Sequence, residues 1–291
     1  MIAETAAPPA EGVAAHAGSH DESAARAERV EAAALSAVHE AAGQTLRDRL
    51  GLRLETVDGA LVSVAAGVPN FLLNRVIGLG RSGPPTPEGL DRIKALYAEA
   101  GIRRYFLHVT PGVEAAGLTA ALDVAGFGPT RGWMLFERPA ADPAPDVDGS
   151  IRVAPVADDA EAAEAGAIVA AGFDLGEAGA PVVARLARHG AWTLYLARDV
   201  ATGAPTGAAA WFRHGDAGWF DFSATRQDSR RRGSQRATLA RRLADARAAG
   251  VRVLFTETGE WTEGDPQHSY NNILRAGFRE AGLRPNRQPA G

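Results

Sequence analysis

The chain has 291 residues, of which 46% are hydrophobic and 23% charged; this is the composition of a folded globular protein with one large domain or two smaller ones, not of a disordered or membrane chain. Its net charge of −4 supplies no global attraction to nucleic acid or anionic lipid. The absence of cysteine excludes a disulfide framework, a thiol nucleophile and a cysteine-type zinc site.

The opening MIAETAAPPAEGVAAH has neither the basic start nor the apolar stretch of a secretory signal. No later run of about 18 apolar residues could span a bilayer, so a cytoplasmic protein without membrane contact is expected. Residues 1 to about 20, rich in Ala, Pro, Glu and Gly, read as a disordered tail. His16 and His20 lie at helical spacing but lack a nearby carboxylate cluster, so they read as solvated rather than metal-binding. From Asp21 to about Leu52 the alanine-rich, charge-interspersed pattern predicts one long helix or two short ones. Residues 1–44 are therefore assigned to tail and helix, 45–138 to a first domain and 150–291 to a second, joined by a proline-rich linker from Arg138 to Pro145.

Gly78-Leu79-Gly80-Arg81-Ser82-Gly83 fits a dinucleotide-binding pattern on paper. Pro84 and Pro85 follow at once, so no helix can begin until about Pro87 and the third glycine cannot lie in a first helical turn. The dinucleotide reading fails.

The two halves repeat one another. Leu90 to Gly101 matches Leu239 to Gly250, each an amphipathic helix ending at glycine. Each is followed by a β-type run, RRYFLHV and VRVLFTE, and then by a short helix closing on Ala-Gly-Phe, at Ala125 to Phe127 and at Ala276 to Phe278. The same alignment sets Gly233 and Ser234 opposite Pro84 and Pro85.

From residue 150 the order is strand, helix, short helix, three strands, an arginine-rich loop, a long helix, strand, helix and a final extended stretch. Meander strands joined to a crossover helix predict a mixed α/β sheet. After the fourth strand comes Ser223-Ala224-Thr225-Arg226-Gln227-Asp228-Ser229-Arg230-Arg231-Arg232-Gly233-Ser234-Gln235, then the helix. A strand passing through a glycine turn into a helix aims backbone N–H groups and the positive end of the helix dipole at one spot, which suits a phosphate.

Arg230-x-x-Gly233-x-Gln235 resembles the pyrophosphate loop of the GNAT N-acetyltransferase superfamily, (Arg/Gln)-x-x-Gly-x-(Gly/Ala), and the flanking element order resembles that superfamily over about 140 residues. Gln235 departs from it, standing where Gly or Ala is usual. The resemblance implies a tandem α/β protein whose second domain is the working copy. It implies an acyl-CoA co-substrate, acetyl-CoA above all, with no metal, and an amine of a small molecule or peptide as acceptor. It places the pantetheine arm along Ser223, Ala224 and Thr225, the pyrophosphate on Arg230, Arg231, Arg232, Gly233, Ser234 and Gln235, and Asn272 on the cofactor from the closing helix.

Amide formation requires loss of a proton from nitrogen and protonation of sulfur. Asp221 and Glu257 are the candidate bases; Phe220 and Phe222 are expected on the face opposite Asp221 by strand alternation. The tyrosine that many superfamily members use as acid is replaced by Ile273, leaving Tyr270, Ser269 or a water. Glu260, Trp261, His268 and Arg284 to Arg287 flank the expected opening of the sheet and are candidates for the acceptor pocket.

The prolines opposite Gly233 and Ser234 have no N–H to donate, so the first domain is expected not to bind acyl-CoA. The alternatives are a non-catalytic acyl-CoA-binding or regulatory protein, and a nucleic-acid binder using Arg226, Arg230, Arg231, Arg232, Arg236, Arg241 and Arg242. The missing interleaved aromatics and the acidic net charge disfavour the nucleic-acid reading. Oligomeric state is left open, a homodimer included.

Overall fold

The computed structural model describes residues 11–111 and 117–290, with side chains from residue 22 onward. The N-terminal helix α1 spans Glu11–Leu50 and is broken at Gly43, whose φ of 68° and ψ of 165° lie outside helical geometry. Helix therefore starts inside the stretch read as tail to residue 20. Residues 1–10 and the side chains of His16 and His20 lie outside the described residues.

The first half continues with β1 (Leu52–Val57), β2 (Ala60–Ala65), β3 (Arg75–Leu79), α2 (Pro87–Glu99), β4 (Phe106–Val109), α3 (Leu118–Val124) and β5 (Phe127–Pro139). The second has β6 (Ile151–Pro155), α4 (Asp159–Gly172), α5 (Gly176–Ala184), β7 (Trp192–Asp199), β8 (Pro205–His214), β9 (Ala217–Thr225), α6 (Ser234–Ala248), β10 (Val253–Gly259), α7 (His268–Arg275) and β11 (Arg279–Pro289). The expected elements are present. The linker begins later than read, because β5 runs through Arg138 to Pro139, which ends the strand opposite Val253. At a strand's last residue a proline gives up little of the ladder.

All strands form one sheet, ordered β1-β2-β3-β4-β11-β5-β10-β9-β8-β7-β6. About its middle the order mirrors itself. β3 and β4 pair in parallel, as do β9 and β10, and the central antiparallel pair β11 and β5 closes each half with a strand of the other. This arrangement is the three-dimensional form of the repeat. Helices α1, α4 and α5 cover one face, packing Val30, Leu35, Val38, Ile168 and Val183 on Trp219, Phe222 and Phe255. On the other face, α2 and α3 cover the first half and α6 and α7 the second, in separate cores.

Candidate active site

The site begins where β9 and β10 part. Their parallel pairing holds only at Val253 with Ala217, Leu254 with Gly218 and Phe255 with Trp219. Beyond that β10 stays with β5 to Gly259 and β9 with β8 to Thr225, so a wedge opens between them. In the first half β3 and β4 remain paired as far as Leu79 with Val109, and the Thr110 N–H donates to the Leu79 carbonyl at 3.5 Å. That wedge stays shut.

A bulge in β9 sharpens the opening. Ala208 faces Ala224 while Ala210 faces Asp221, two residues of β9 being accommodated against one of β8, and Phe222 takes a left-handed φ of 51°. Such a bulge bends a strand and re-aims its side chains. Phe220 packs against α6 and α7 as alternation predicts, but Phe222 joins Trp219 in the core under α4. The expectation for Phe222 was wrong because alternation does not survive a bulge.

Buried Arg242 of α6 stabilises the bulge, donating to the Ala210 carbonyl at 3.0 Å and the Asp221 carbonyl at 3.4 Å. Its guanidinium lies 4.5 Å from the Phe220 ring centroid. Arg241 donates to the Val153 carbonyl and pairs with Asp245. Both are among the arginines of the nucleic-acid alternative; packing puts Arg242 in the interior and ties the part-exposed Arg241 to its own helix and to β6. Helical periodicity alone could have marked Arg242, which shares a face with Leu239 and Leu243.

Asp221 is partly buried. Its Oδ1 accepts the Phe222 N–H at 2.7 Å and its Oδ2 the Trp219 indole N–H at 3.2 Å. Burial raises its pKa, with Arg75 and these hydrogen bonds opposing. Glu257, on the same face as Phe255 by alternation along β10, accepts from Arg75 at 3.0 Å and from Arg284. Burial pushes its carboxyl up, to about 8.

Tyr270 lies on the other face, edge-on to Phe136 at 4.9 Å, with its hydroxyl committed to Glu280. Burial and that carboxylate hold its proton on more firmly than usual. Ile273 is buried in the same core. The structure therefore brings Asp221 and Glu257 to one face of the wedge and leaves Tyr270 outside their company. Arg284 and Asn286 are buried rather than lining an acceptor pocket; Asn286 bonds His108 at 2.6 Å and the Arg131 carbonyl, and Arg287 pairs with Asp123. Glu260 accepts the Gly132 N–H, while Trp261 is exposed. His268 and Tyr270 line a cavity of about 280 Å³ with Arg131, Thr258 and Asp265.

At the end of β9 the chain passes through Arg226 to Gly233 and starts α6 at Ser234, with Arg231 at φ 61° and Gly233 at φ 87°. No side chain among the described residues caps this helix. Among the described residues, no protein group accepts the backbone N–H of Arg231, Arg232 or Gly233. The buried Ser234 hydroxyl is likewise without a partner. Arg230 and Arg231 are exposed, and Arg232 reaches Asp199 at 3.2 Å. A β-carbon at Gly233 would meet no described atom within 4 Å, so its left-handed φ, not crowding, is what calls for glycine. This is the geometry of an anion cradle. Asn272 donates to the Gln235 side chain at 2.6 Å, so the residue that departs from the motif holds the one expected to face the cofactor.

The matching helix of the first half is closed. Thr86 caps α2 by accepting the Gly89 N–H at 2.9 Å, and Asp58, from the β1–β2 turn, accepts both the Thr86 N–H at 2.7 Å and its hydroxyl at 3.0 Å. The protein's own carboxylate sits where an anion would bind, behind two prolines.

The fold has clear relatives among solved structures. A GCN5-related N-acetyltransferase from Kribbella flavida superposes with a TM-score of 0.62 over 91% of this chain and 96% of its own, at 18% identity. A GCN5-related N-acetyltransferase from Sphaerobacter thermophilus gives 0.58 over 84% and 83%, at 15% identity. A tandem GNAT protein from the clavulanic acid biosynthesis pathway gives 0.55 over 80% and 78%, at 14% identity. The chain has the tandem GNAT fold. No protein-family model matches its sequence, and no curated protein does. In this tandem GNAT fold no described helix is long and apolar enough to cross a membrane.

Proposed function

We propose that this chain is an acyl-CoA-dependent N-acyltransferase, moving an acyl group, acetyl in the simplest case, directly from its CoA thioester to an amine of a small molecule or peptide. The reading assigns one site, in residues 150–291, and a first repeat, residues 45–138, that has lost the capacity to bind acyl-CoA. The contrast between the two helix starts carries it: α6 is uncapped beside a left-handed Gly233, whereas α2 is capped by Thr86 and Asp58.

The pyrophosphate would lie on the N–H groups from Arg231 to Gln235, with Arg230 and Arg231 screening its charge. The pantetheine arm would run in the wedge along Ser223, Ala224 and Thr225, whose backbone faces no strand on the β10 side. The thioester carbonyl would then reach the point where β9 and β10 part, beside Asp221 and Glu257. The amine nitrogen attacks that carbonyl carbon; the N–C bond forms, the C–S bond breaks, and the nitrogen's proton passes to Asp221 or Glu257, directly or through water. A carboxyl raised toward neutral pH is well matched to this step. With Tyr270 bound to Glu280, protonation of the leaving thiolate falls to water or Ser269.

A second reading, a non-catalytic acyl-CoA-binding protein, is favoured by one observation: guanidiniums occupy both oxygens of Glu257. Calorimetric titration with acetyl-CoA and CoA tests the shared part. One site per chain is expected, weakened about tenfold or more in Gly233→Val, which strains an exposed left-handed position and so distorts the turn that aims the N–H groups. Absence of binding by the folded wild type would sink both readings. Binding without acetyl transfer to any of a panel of amines would favour the second.

A further inference from the structure

Beneath α1 the ionisable side chains of five elements meet. Arg75 of β3 donates to Glu257 of β10 at 3.0 Å and pairs ionically with Glu31 of α1 at 2.9 Å, through the same nitrogen. Arg284 of β11 pairs with Glu31 and Glu257 as well, and Asp221 of β9 feels the charge of both Arg75 and Glu31. Both guanidiniums lie against the Trp133 ring of β5, at 5.5 and 5.7 Å from its centroid. The side chains of Glu31 and Arg284 are 0% exposed, that of Arg75 4% and that of Glu257 11%; Glu257 and the partly buried Asp221 are the carboxylates here that reach solvent.

Pinning α1 and the two halves together does not require such a cluster, since well-packed apolar side chains do that at less desolvation cost. The arrangement does have one specific effect. A carboxylate offers about four acceptor positions; Arg75 takes one on Oε1 and Arg284 one on Oε2, which fixes the rotamer and leaves a lone pair on each oxygen. Burial pushes the Glu257 carboxyl up; Arg284 opposes most strongly and Arg75 next among the cations, while Glu31 and Asp221 add to the rise.

We propose that Arg75, contributed by the first half of the chain, is a positioning residue of the second half's acyl-transfer site, orienting the Glu257 carboxylate toward the wedge. The proposal rests on the acyltransferase reading and gives the first repeat a part in it. Glu31 is the counterweight, dividing the attention of both guanidiniums.

The test is carbon-13 NMR titration of full-length protein labelled at the glutamate carboxyl carbon, with Glu257→Gln identifying the Glu257 signal and acetyl-CoA calorimetry on the same samples. An opposite charge at this range lowers a carboxyl by about 1–3 pH units. Arg75→Gln should therefore raise the Glu257 midpoint by about one unit or more, Arg75→Lys by less, and Glu31→Gln should lower it, all with acetyl-CoA affinity unchanged. Should Arg75→Gln not fold, the other two variants still carry opposite expectations. Midpoints that stay in place, or move together in one direction, while acetyl-CoA still binds would overturn the role of Arg75 alone. Midpoints that move as expected in a wild type that binds no acetyl-CoA would sink the acyltransferase reading, and reduce the cluster to a structural one.

Discussion

Asp221 owes its position to a local irregularity. A regular β9 would continue its ladder past Trp219; the bulge at Phe222 turns the strand aside and gives Asp221 a backbone N–H and an indole N–H to hold it still. Asp221→Asn keeps the shape and removes the basicity. If Asp221 takes the amine proton, acyl transfer at saturating acyl-CoA should fall by about 10²- to 10⁴-fold with acetyl-CoA affinity unchanged, as read by thiol release with an accepted amine. An unchanged rate would move the base to Glu257. Arg242→Met should act differently: it leaves the carbonyls of Ala210 and Asp221 without their buried donor and should lower stability by about 1–3 kcal/mol, measured by urea unfolding.

At the scale of elements, α1 is docked by more than apolar contact. Buried His39 donates Nε2–H to Ser63 at 2.8 Å, since the Ser63 hydroxyl itself donates to the Leu73 carbonyl, and its Nδ1 has no partner among the described residues. Burial and Arg47 lower its pKa to about 4, and burial lowers that of His108 too. An unfolded imidazole titrates near 6.5, so as pH falls the unfolded chain takes up protons first. The stabilising contribution is whole above about pH 6.5 and is lost as pH falls toward 4. Glu257, raised, works in the opposite sense, so the comparison must be made between variants. Urea midpoints should fall less between pH 7 and 4 in His39→Gln than in the wild type; equal slopes would show that His39 titrates normally. Helix α2 offers a separate check. Thr86→Ala removes its cap and should cost about 0.5–2 kcal/mol, yet acetyl-CoA stoichiometry should stay at one, because Pro84 and Pro85 still lack N–H groups.

At the scale of the whole molecule, the exchange of central strands couples the halves. β11 completes the first half's sheet between β4 and β5, and β5 completes the second's between β11 and β10. Neither half can close its sheet alone, and each would expose a strand edge. Heat unfolding should therefore be a single transition whose van't Hoff and calorimetric enthalpies agree. Residues 1–145 and 146–291 should be soluble only when produced together. Two resolved transitions, or an independently folded fragment, would count against this coupling.

The repeat, the element order, the glycine turn into α6 and the prolines before its counterpart α2 were legible in the sequence. Each is local: periodicity, glycine and proline act on their own neighbours along the chain. The bulge at Phe222 was not legible, because it is a mismatch between two strands and appears only when β8 and β9 are laid in register. Nor were the roles of Arg75, Arg242 and Arg284, whose partners lie on other elements and whose type suggests a charged surface. Burial was decided by the exchange of β5 and β11 and by the course of α1 over the wedge. Sequence by itself determined the strand, glycine turn and helix of the segment proposed to hold a phosphate; the tertiary structure decided which carboxylates stand beside the opening of the sheet, because long-range pairing and desolvation, not neighbouring residues, set their geometry and charge.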